Sequence, residues 1–287
     1  MLINRIVDLT NRIYHYCVFR YRLFKSDCYY GKCRFKYSQE SNGKEANVLA
    51  TGPSLNTEMP MIMRSDRETN VYGVVNFFAA TNNFLHIKPQ YYFLADAGFF
   101  TNNERDDIRK LFEILNKEVT WVMTVVVPIN YYKEAQNKLY NKYIRIEPMP
   151  ILQYETSDKN KMLYLKTGKA APSYVNVTIF VEFYFLNKGY KTIHLFGVDH
   201  TFFSDMSVDS ENNIVWKRSH FYESGYRKLI RYKEDGTRWK LSDWLRDKYL
   251  TFREHEFMNN YASFVGARII NHTEHSMIDA YDREILS

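Results

Sequence analysis

The run Glu45-Ala-Asn-Val-Leu-Ala-Thr-Gly-Pro-Ser54 decides how the rest of the chain reads. Its apolar part, residues 46–50, stops at Thr51-Gly52-Pro53-Ser54. Gly52 tolerates positive φ and lets another group approach the backbone, while Pro53 suits the first turn of a helix. A short apolar run closed in this way reads as a buried strand handing over to a helix. The pattern recurs at residues 70–75, closed by Asn76, at 91–95, closed by Asp96, and at 192–197, closed by Val198-Asp199-His200. Residues 119–127, 143–146 and 268–271 add three more candidate strands. Helical spacing marks 104–117, a Tyr-rich stretch at 131–141, the apolar 173–186 stopped by Asn187-Lys188-Gly189, and 242–265. Strands alternating with helices mean βαβ units and a parallel sheet. The expected fold is therefore α/β, a largely parallel sheet flanked by helices, Rossmann-like and GT-A-like, in one domain over 45–287. A polar, aromatic-studded stretch of about 40 residues after His200 reads as a long lid loop, since loops of that length are uncommon and often functional.

Composition narrows the class. The chain has 287 residues, 45% hydrophobic and 25% charged, enough apolar material for a full core. Its 24 Tyr and 20 Phe are in excess. They read first as core filling and second as stacking platforms for bases or sugars. The net charge of +6 favours anionic partners without a dense basic tract, so a nucleic-acid partner is not expected. Cys17, Cys28 and Cys33 lack zinc-ligand spacing, and an odd count fits a reducing cytoplasm.

Residues 1–44 read as a separate segment. Ile3, Ile6, Val7, Ile13, Tyr14, Cys17, Val18, Tyr21 and Phe24 approximate a helical stripe, interrupted by Arg5, Arg12, Arg20, Arg22 and Lys25. A basic amphipathic helix of this kind lies in a membrane interface or packs on the domain or on a second subunit. Both readings stay open, with peripheral membrane contact through residues 1–25 on the inner face of the cytoplasmic membrane as one, and a homo-oligomer as the other. Residues 38–44, Ser-Gln-Glu-Ser-Asn-Gly-Lys, read as a polar linker.

The chemistry-bearing residues fall just past strands. Thr51, Gly52, Pro53 and Ser54, then Asn76, Asp96, Asp199 and His200, all follow a strand end, and Gly197 is the last residue of its strand. In a parallel sheet those ends share one edge, and ligands bind there at a topological switch point. The Thr51–Ser54 turn suits a phosphate at a helix start. It lacks the Gly-x-Gly-x-x-Gly pattern and the P-loop lysine, which argues against NAD and P-loop ATP binding. His220, in Ser219-His-Phe-Tyr222, is a candidate general base, with His200 as substitute and Asp199 as an orienting group. Asp96, Asp199, His200 and His220 are of the residue types that bind a divalent ion, and His272 and His275 lie at helical spacing. No zinc spacing, His-Glu-x-x-His or Asp-x-Asp motif accompanies them, so no metal or other cofactor is expected.

Ala50-Thr-Gly-Pro-Ser-Leu55, Asn76, Gly189–Asp199 and the Ser219-His220 motif together resemble the bacterial sialyltransferase family. The wider set with motility-associated flagellin glycosyltransferases and hydroxymethylpterin diphosphokinase-like proteins is similar too. Gly197-Val-Asp-His200 and Ser219-His-Phe221 match that wider set more closely. The resemblance runs from about Glu45 onward. It implies inverting, metal-independent transfer of a sugar, sialic acid or a related nonulosonate, from a CMP-linked donor to a glycan or lipid-linked glycan acceptor in surface polysaccharide synthesis. It implies that Thr51, Gly52, Ser54 and Asn76 line the nucleotide site, that Asp96 stands where an asparagine contacts the donor, and that Asn176 and Thr178 meet donor polar groups. Ala50-Thr51-Gly52 replaces the family's Gly-Asn-Gly, Ser224 stands at the sialyltransferase base position, and Thr201 at that of its phosphate-binding tyrosine. Two other readings accompany it: a phosphotransferase using ATP and Mg²⁺ held by Asp96 and Asp199, and a non-catalytic module of a glycan-assembly complex.

Overall fold

Alternation along each strand sorts the core into two layers. In the computed structural model, which describes residues 2–102, 104–204, 206–220 and 223–284, β1 (Glu45–Leu49) sends Ala46 and Val48 to one face and Leu49 to the other. The side chains of 2–6, 8, 217–220, 223 and 224 lie outside that description. β2 (Asn70–Val75) and β3 (Tyr91–Phe93) repeat the split, with Val71, Val75 and Phe93 on the first face and Tyr72, Val74 and Tyr92 on the second. Side chains of successive strand residues point to opposite faces, so both faces of a sheet this apolar must be covered.

The elements run α1 (Leu2–Tyr30), β1, α2 (Leu55–Ile62), β2, α3 (Phe84–Ile87), β3, α4 (Gly98–Thr101), α5 (Asp106–Glu118) and β4 (Met123–Pro128). They continue with α6 (Tyr132–Lys138), β5 (Ile144–Met149), α7 (Asp158–Lys166), α8 (Val177–Asn187), β6 (Thr192–Phe196), β7 (Met206–Val208), β8 (Ile214–His220), β9 (Glu223–Lys228), α9 (Leu241–Phe264), β10 (Arg268–Asn271) and β11 (Asp282–Arg283). Eight strands form one sheet in the order β11-β10-β6-β1-β2-β3-β4-β5, and every pairing in it is parallel. The expected α/β class with a Rossmann-like sheet is what the chain adopts. β2 leaves β1 on one side and β6 returns on the other, so the order reverses between β1 and β6.

Residues of α8 and α9 cover the first face, and α2, α3 and α5 the second. From Thr178 to Asn187 every residue of α8 is buried. Its sequence, Val-Thr-Ile-Phe-Val-Glu-Phe-Tyr-Phe-Leu-Asn, is apolar all round between Thr178 and Asn187 except at Glu182, the composition of a helix enclosed on every side. Asn176 caps it by accepting the Ile179 N–H at 3.0 Å.

Two expectations are corrected. The stretch after His200 is not an irregular loop, because β7, β8 and β9 pair antiparallel into a small second sheet. Their sequences, Met-Ser-Val, Ile-Val-Trp-Lys-Arg-Ser-His and Glu-Ser-Gly-Tyr-Arg-Lys, carry only short apolar runs without a sustained alternation, so the sequence does not read as strand there. The polar residues 38–44 are not a loose linker either. The N–H groups of Ser38 and Glu40 donate to the carbonyls of Asn187 and Lys188 at the end of α8, at 2.6 and 2.9 Å. Gly189, at φ +85°, lets Ser38 come that close: a Cβ there would stand 2.3 Å from the Ser38 carbonyl oxygen. Among the described residues, no helix is long and apolar enough to cross a membrane.

Candidate functional site

The turns after β1, β2 and β6 and the first turn of α8 enclose a cleft of about 230 Å³. It lies at the carboxyl edge of the sheet, over the β1–β6 switch point, where an open parallel sheet splays its loops apart. Thr51, Gly52 and Pro53 line it from β1, Asn76 from β2, and Gly197, Asp199 and His200 from β6. Asn176 and Thr178 contribute from α8, and Trp216 reaches in from β8. Nine of the expected site residues therefore meet. Ser54 and Asp96 follow the same sheet edge but are not among the lining residues. The Ser54 hydroxyl and N–H are turned to the Asp199 carboxylate, and Asp96 Oδ1 accepts the Gly98 N–H at 2.7 Å, a turn within its own loop. The His220 side chain, and all of Phe221 and Tyr222, lie outside the described residues.

Asp199 is buried and acts as a brace. Besides Ser54, it faces Gly52, where a Cβ would stand 1.7 Å from Asp199 Oδ2 and 2.4 Å from the Gly197 carbonyl oxygen. Only glycine fits, and the Gly52 N–H then donates to that carbonyl at 2.8 Å. Burial raises the Asp199 pKa, opposed by its hydrogen bonds from Ser54. Beneath it, Glu58 Oε2 accepts the Gly197 N–H at 2.7 Å. Burial pushes the Glu58 carboxyl up to about 7; the Asp199 charge adds to this, while the Gly197 and Thr273 hydrogen bonds oppose it.

Two residues lining the cleft hold left-handed backbone, Asn76 at φ +52° and His200 at φ +52°. Neither is glycine, and such geometry persists only where neighbours enforce it. Tyr92 holds Asn76 by donating its hydroxyl to the Asn76 carbonyl. The Asn76 side chain has no hydrogen-bond partner among the described residues, which leaves its amide for the cleft.

His200 is held by a buried polar chain. His200 Nε2 lies 3.1 Å from His255 Nε2 on α9, and Asn176 Nδ2 lies 3.2 and 3.3 Å from the two. His255 Nδ1 is 2.8 Å from the Tyr281 hydroxyl, which donates to Glu182 Oε2 at 2.8 Å. Because Tyr281 donates to Glu182, its oxygen accepts from His255 Nδ1–H. His255 Nε2 is then an acceptor, with two donors in reach: the Asn176 amide, which also faces His200 Nε2, and His200 itself in its Nε2–H form. His200 Nδ1 has no hydrogen-bond partner among the described residues, and in the Nε2–H form it carries the lone pair. Burial lowers the pKa of His200 well below the usual histidine value, with the neighbouring His255 and Lys248 adding to it, and pushes His255 down to about 3. Glu182 moves the other way, raised by burial and opposed by the Tyr281 hydrogen bond. Both imidazoles are thus neutral near pH 7.

No family model and no curated protein matches the chain.

Sequence reasoning missed His255, Tyr281, Glu182 and Trp216. Glu182 carried a signal, being the one carboxylate in an apolar helix. His255 sits in Arg253-Glu-His-Glu256 and looks like solvated helix surface. His272 and His275 do not join the cleft: His272 Nε2 meets His194 Nδ1 at 2.8 Å, and His194 Nε2 meets Glu45 at 3.0 Å. Among the described residues, no group of three or more His, Cys, Asp or Glu is arranged to hold a metal ion.

Proposed function

We propose that the protein is a glycosyltransferase that takes a sugar nucleotide, CMP-linked in keeping with the sequence resemblance, and transfers the sugar to a hydroxyl of a glycan acceptor. The observation that carries this reading is the free Nδ1 of a neutral His200, backed by Glu182, in a cleft at the sheet's switch point. His200 Nδ1 takes the proton of the acceptor hydroxyl as its oxygen bonds to the anomeric carbon. The bond from that carbon to the donor phosphate oxygen breaks, and the nucleotide leaves with the electron pair. His200 takes up the positive charge, and the Tyr281–Glu182 pair behind His255 holds its ring in place.

The nucleotide phosphate belongs at the start of α8. The Val177 and Thr178 N–H groups there have no acceptor among the described residues, and aligned helix amides favour an anion. Trp216 and Phe202 supply flat apolar surface for a base or a sugar. The sequence favoured His220 as base; the buried chain behind His200 favours His200. A phosphotransferase would need Asp96 and Asp199 to share a cation, whereas Asp199 is turned to Ser54 and Gly52 and Asp96 to its own turn.

The test is thermal denaturation with CMP, UDP, GDP and ATP, followed by nucleotide release from the matching sugar donor. A bound nucleotide raises the melting temperature by mass action. His200→Ala should keep that shift and lose about 10²–10⁴-fold in turnover, the range of a general base. If neither a nucleotide nor a sugar nucleotide binds, the reading fails.

A further inference from the structure

α1 touches the body along one narrow line. Phe19 is buried and stacks on Tyr154, with ring centroids 4.4 Å apart, and Leu23 packs against the same core. At about 100° per residue, Ile13, Phe24, Cys17, Cys28, Tyr21 and Tyr14 fall within an arc of about 100°. The centre of that arc lies about 170° from Phe19, on the side facing away from the protein. All six are exposed, Tyr14, Tyr21 and Phe24 by 64%, 61% and 65%. Arg20 borders the stripe on one edge and Lys25 on the other, each lying beside a tyrosine ring of the helix. An amphipathic helix normally turns its apolar side to the core; this one turns it outward.

Charge selects the occupant. Residues 1–34 contain seven Lys or Arg and two Asp, so they hold +5 of the chain's +6. Asp27 is engaged by Arg34, with Arg34 Nη1 2.8 Å from Asp27 Oδ1. A second copy of the helix laid on the stripe would set cationic edges against each other. Anionic headgroups would neutralise them while the apolar residues enter the acyl boundary. The stripe also continues into an apolar hollow of about 610 Å³, where Phe24, Tyr29 and Tyr30 meet Ile151 and Leu152, with Arg22 and Lys25 at its lining.

We infer that α1 is a docking surface for an anionic lipid bilayer, lying in the interface with the Ile13–Cys28 stripe inward. This stands independently of the activity proposed for the cleft. Flotation of the full chain with vesicles tests it, using phosphatidylcholine alone and phosphatidylcholine with phosphatidylglycerol. Binding should be confined to the anionic vesicles and weaken with salt. Tyr21→Ser with Phe24→Ser, both at exposed positions, should reduce it by about tenfold or more while circular dichroism stays unchanged. Arg20→Glu with Lys25→Glu should do the same without touching the apolar stripe. A polarity-sensitive dye on Cys17 should shift to the blue on vesicles. Absence of binding to anionic vesicles overturns the inference. So does a dimer in sedimentation that Phe24→Ser dissolves, if vesicle binding survives that change.

Discussion

Glu58→Gln isolates the electrostatics beneath the cleft. Wild-type Glu58 keeps its proton in the folded state up to about pH 7, whereas a glutamate in the unfolded chain gives it up near pH 4.5. A raised pKa means the native state holds more protons than the unfolded state between those values. The stability contributed by this group is therefore complete below pH 4.5 and is lost as pH rises through 7. The gap between 4.5 and about 7 integrates to about 2–3 kcal/mol lost between pH 5 and pH 8. Glu58 is only 8% exposed, so solvent screens little of this. Glutamine keeps a carbonyl for the Gly197 N–H and cannot ionise. Urea unfolding of both proteins at pH 5 and pH 8 cancels the other titrations they share, and the variant should gain about 2–3 kcal/mol on wild type across that range. Parallel pH dependence of the two proteins would refute the argument, because it would mean that Glu58 is solvated or paired when charged.

Gly52→Ala should destabilise by about 3 kcal/mol or more, measured by denaturant unfolding, since its Cβ would overlap the Asp199 carboxylate; an unchanged midpoint would mean the Asp199 brace does not exist. Once a turnover assay is available, rate should hold from pH 8 down to pH 6 because the His200 pKa is lowered, and an acid limb at or above pH 6.5 would contradict that environment. Glu182→Gln should lower turnover about tenfold or more with KM for the donor unchanged, and equal loss in KM would make Glu182 merely structural. Iodoacetamide under native conditions should modify Cys17 and Cys28, which are exposed, and spare Cys33, whose thiol burial pushes up to about 11; peptide mass spectrometry reads the pattern.

The large sheet was legible because each of its inner strands carries an apolar run and a turn residue to stop it. Residues 70–75 and 268–271 are strands as read, and β1 and β6 end one residue short of their expected limits. The strand expected over 119–127 begins at Met123, because residues 119–122 only lead into it. α7 went unread: Asp158–Lys166 buries only Leu165, so its sequence carries no apolar stripe. Strand ends share an edge by topology alone, which is why seven of the nine lining site residues could be gathered from a linear reading; Asn176 and Thr178, at the start of α8, came from the family resemblance. Which way a side chain turns on that edge depends on three-dimensional neighbours. Ser54 and Asp199 pair with each other across 145 residues, and His200 finds its partners on α9 and beyond it. Nothing in local spacing encodes either pairing.

Left-handed Asn42, Lys88 and Asn212 lie elsewhere in the chain, but several breaches of local preference meet in one region. Left-handed Asn76 and His200, the lone carboxylate of α8, the Glu58 carboxyl under Gly197 and the Asp199 oxygen without a hydrogen bond all lie at the cleft or directly behind it. Each left-handed residue costs about 1–3 kcal/mol, and a buried carboxyl costs more unless it stays protonated or finds donors. An apolar residue at 182 would fit the rest of α8 and avoid that cost. A chain under pressure for stability alone would have no reason to keep Glu182 there. Through Tyr281 and His255 that carboxyl is joined by hydrogen bonds to His200 at the cleft, the arrangement on which the proposed activity rests.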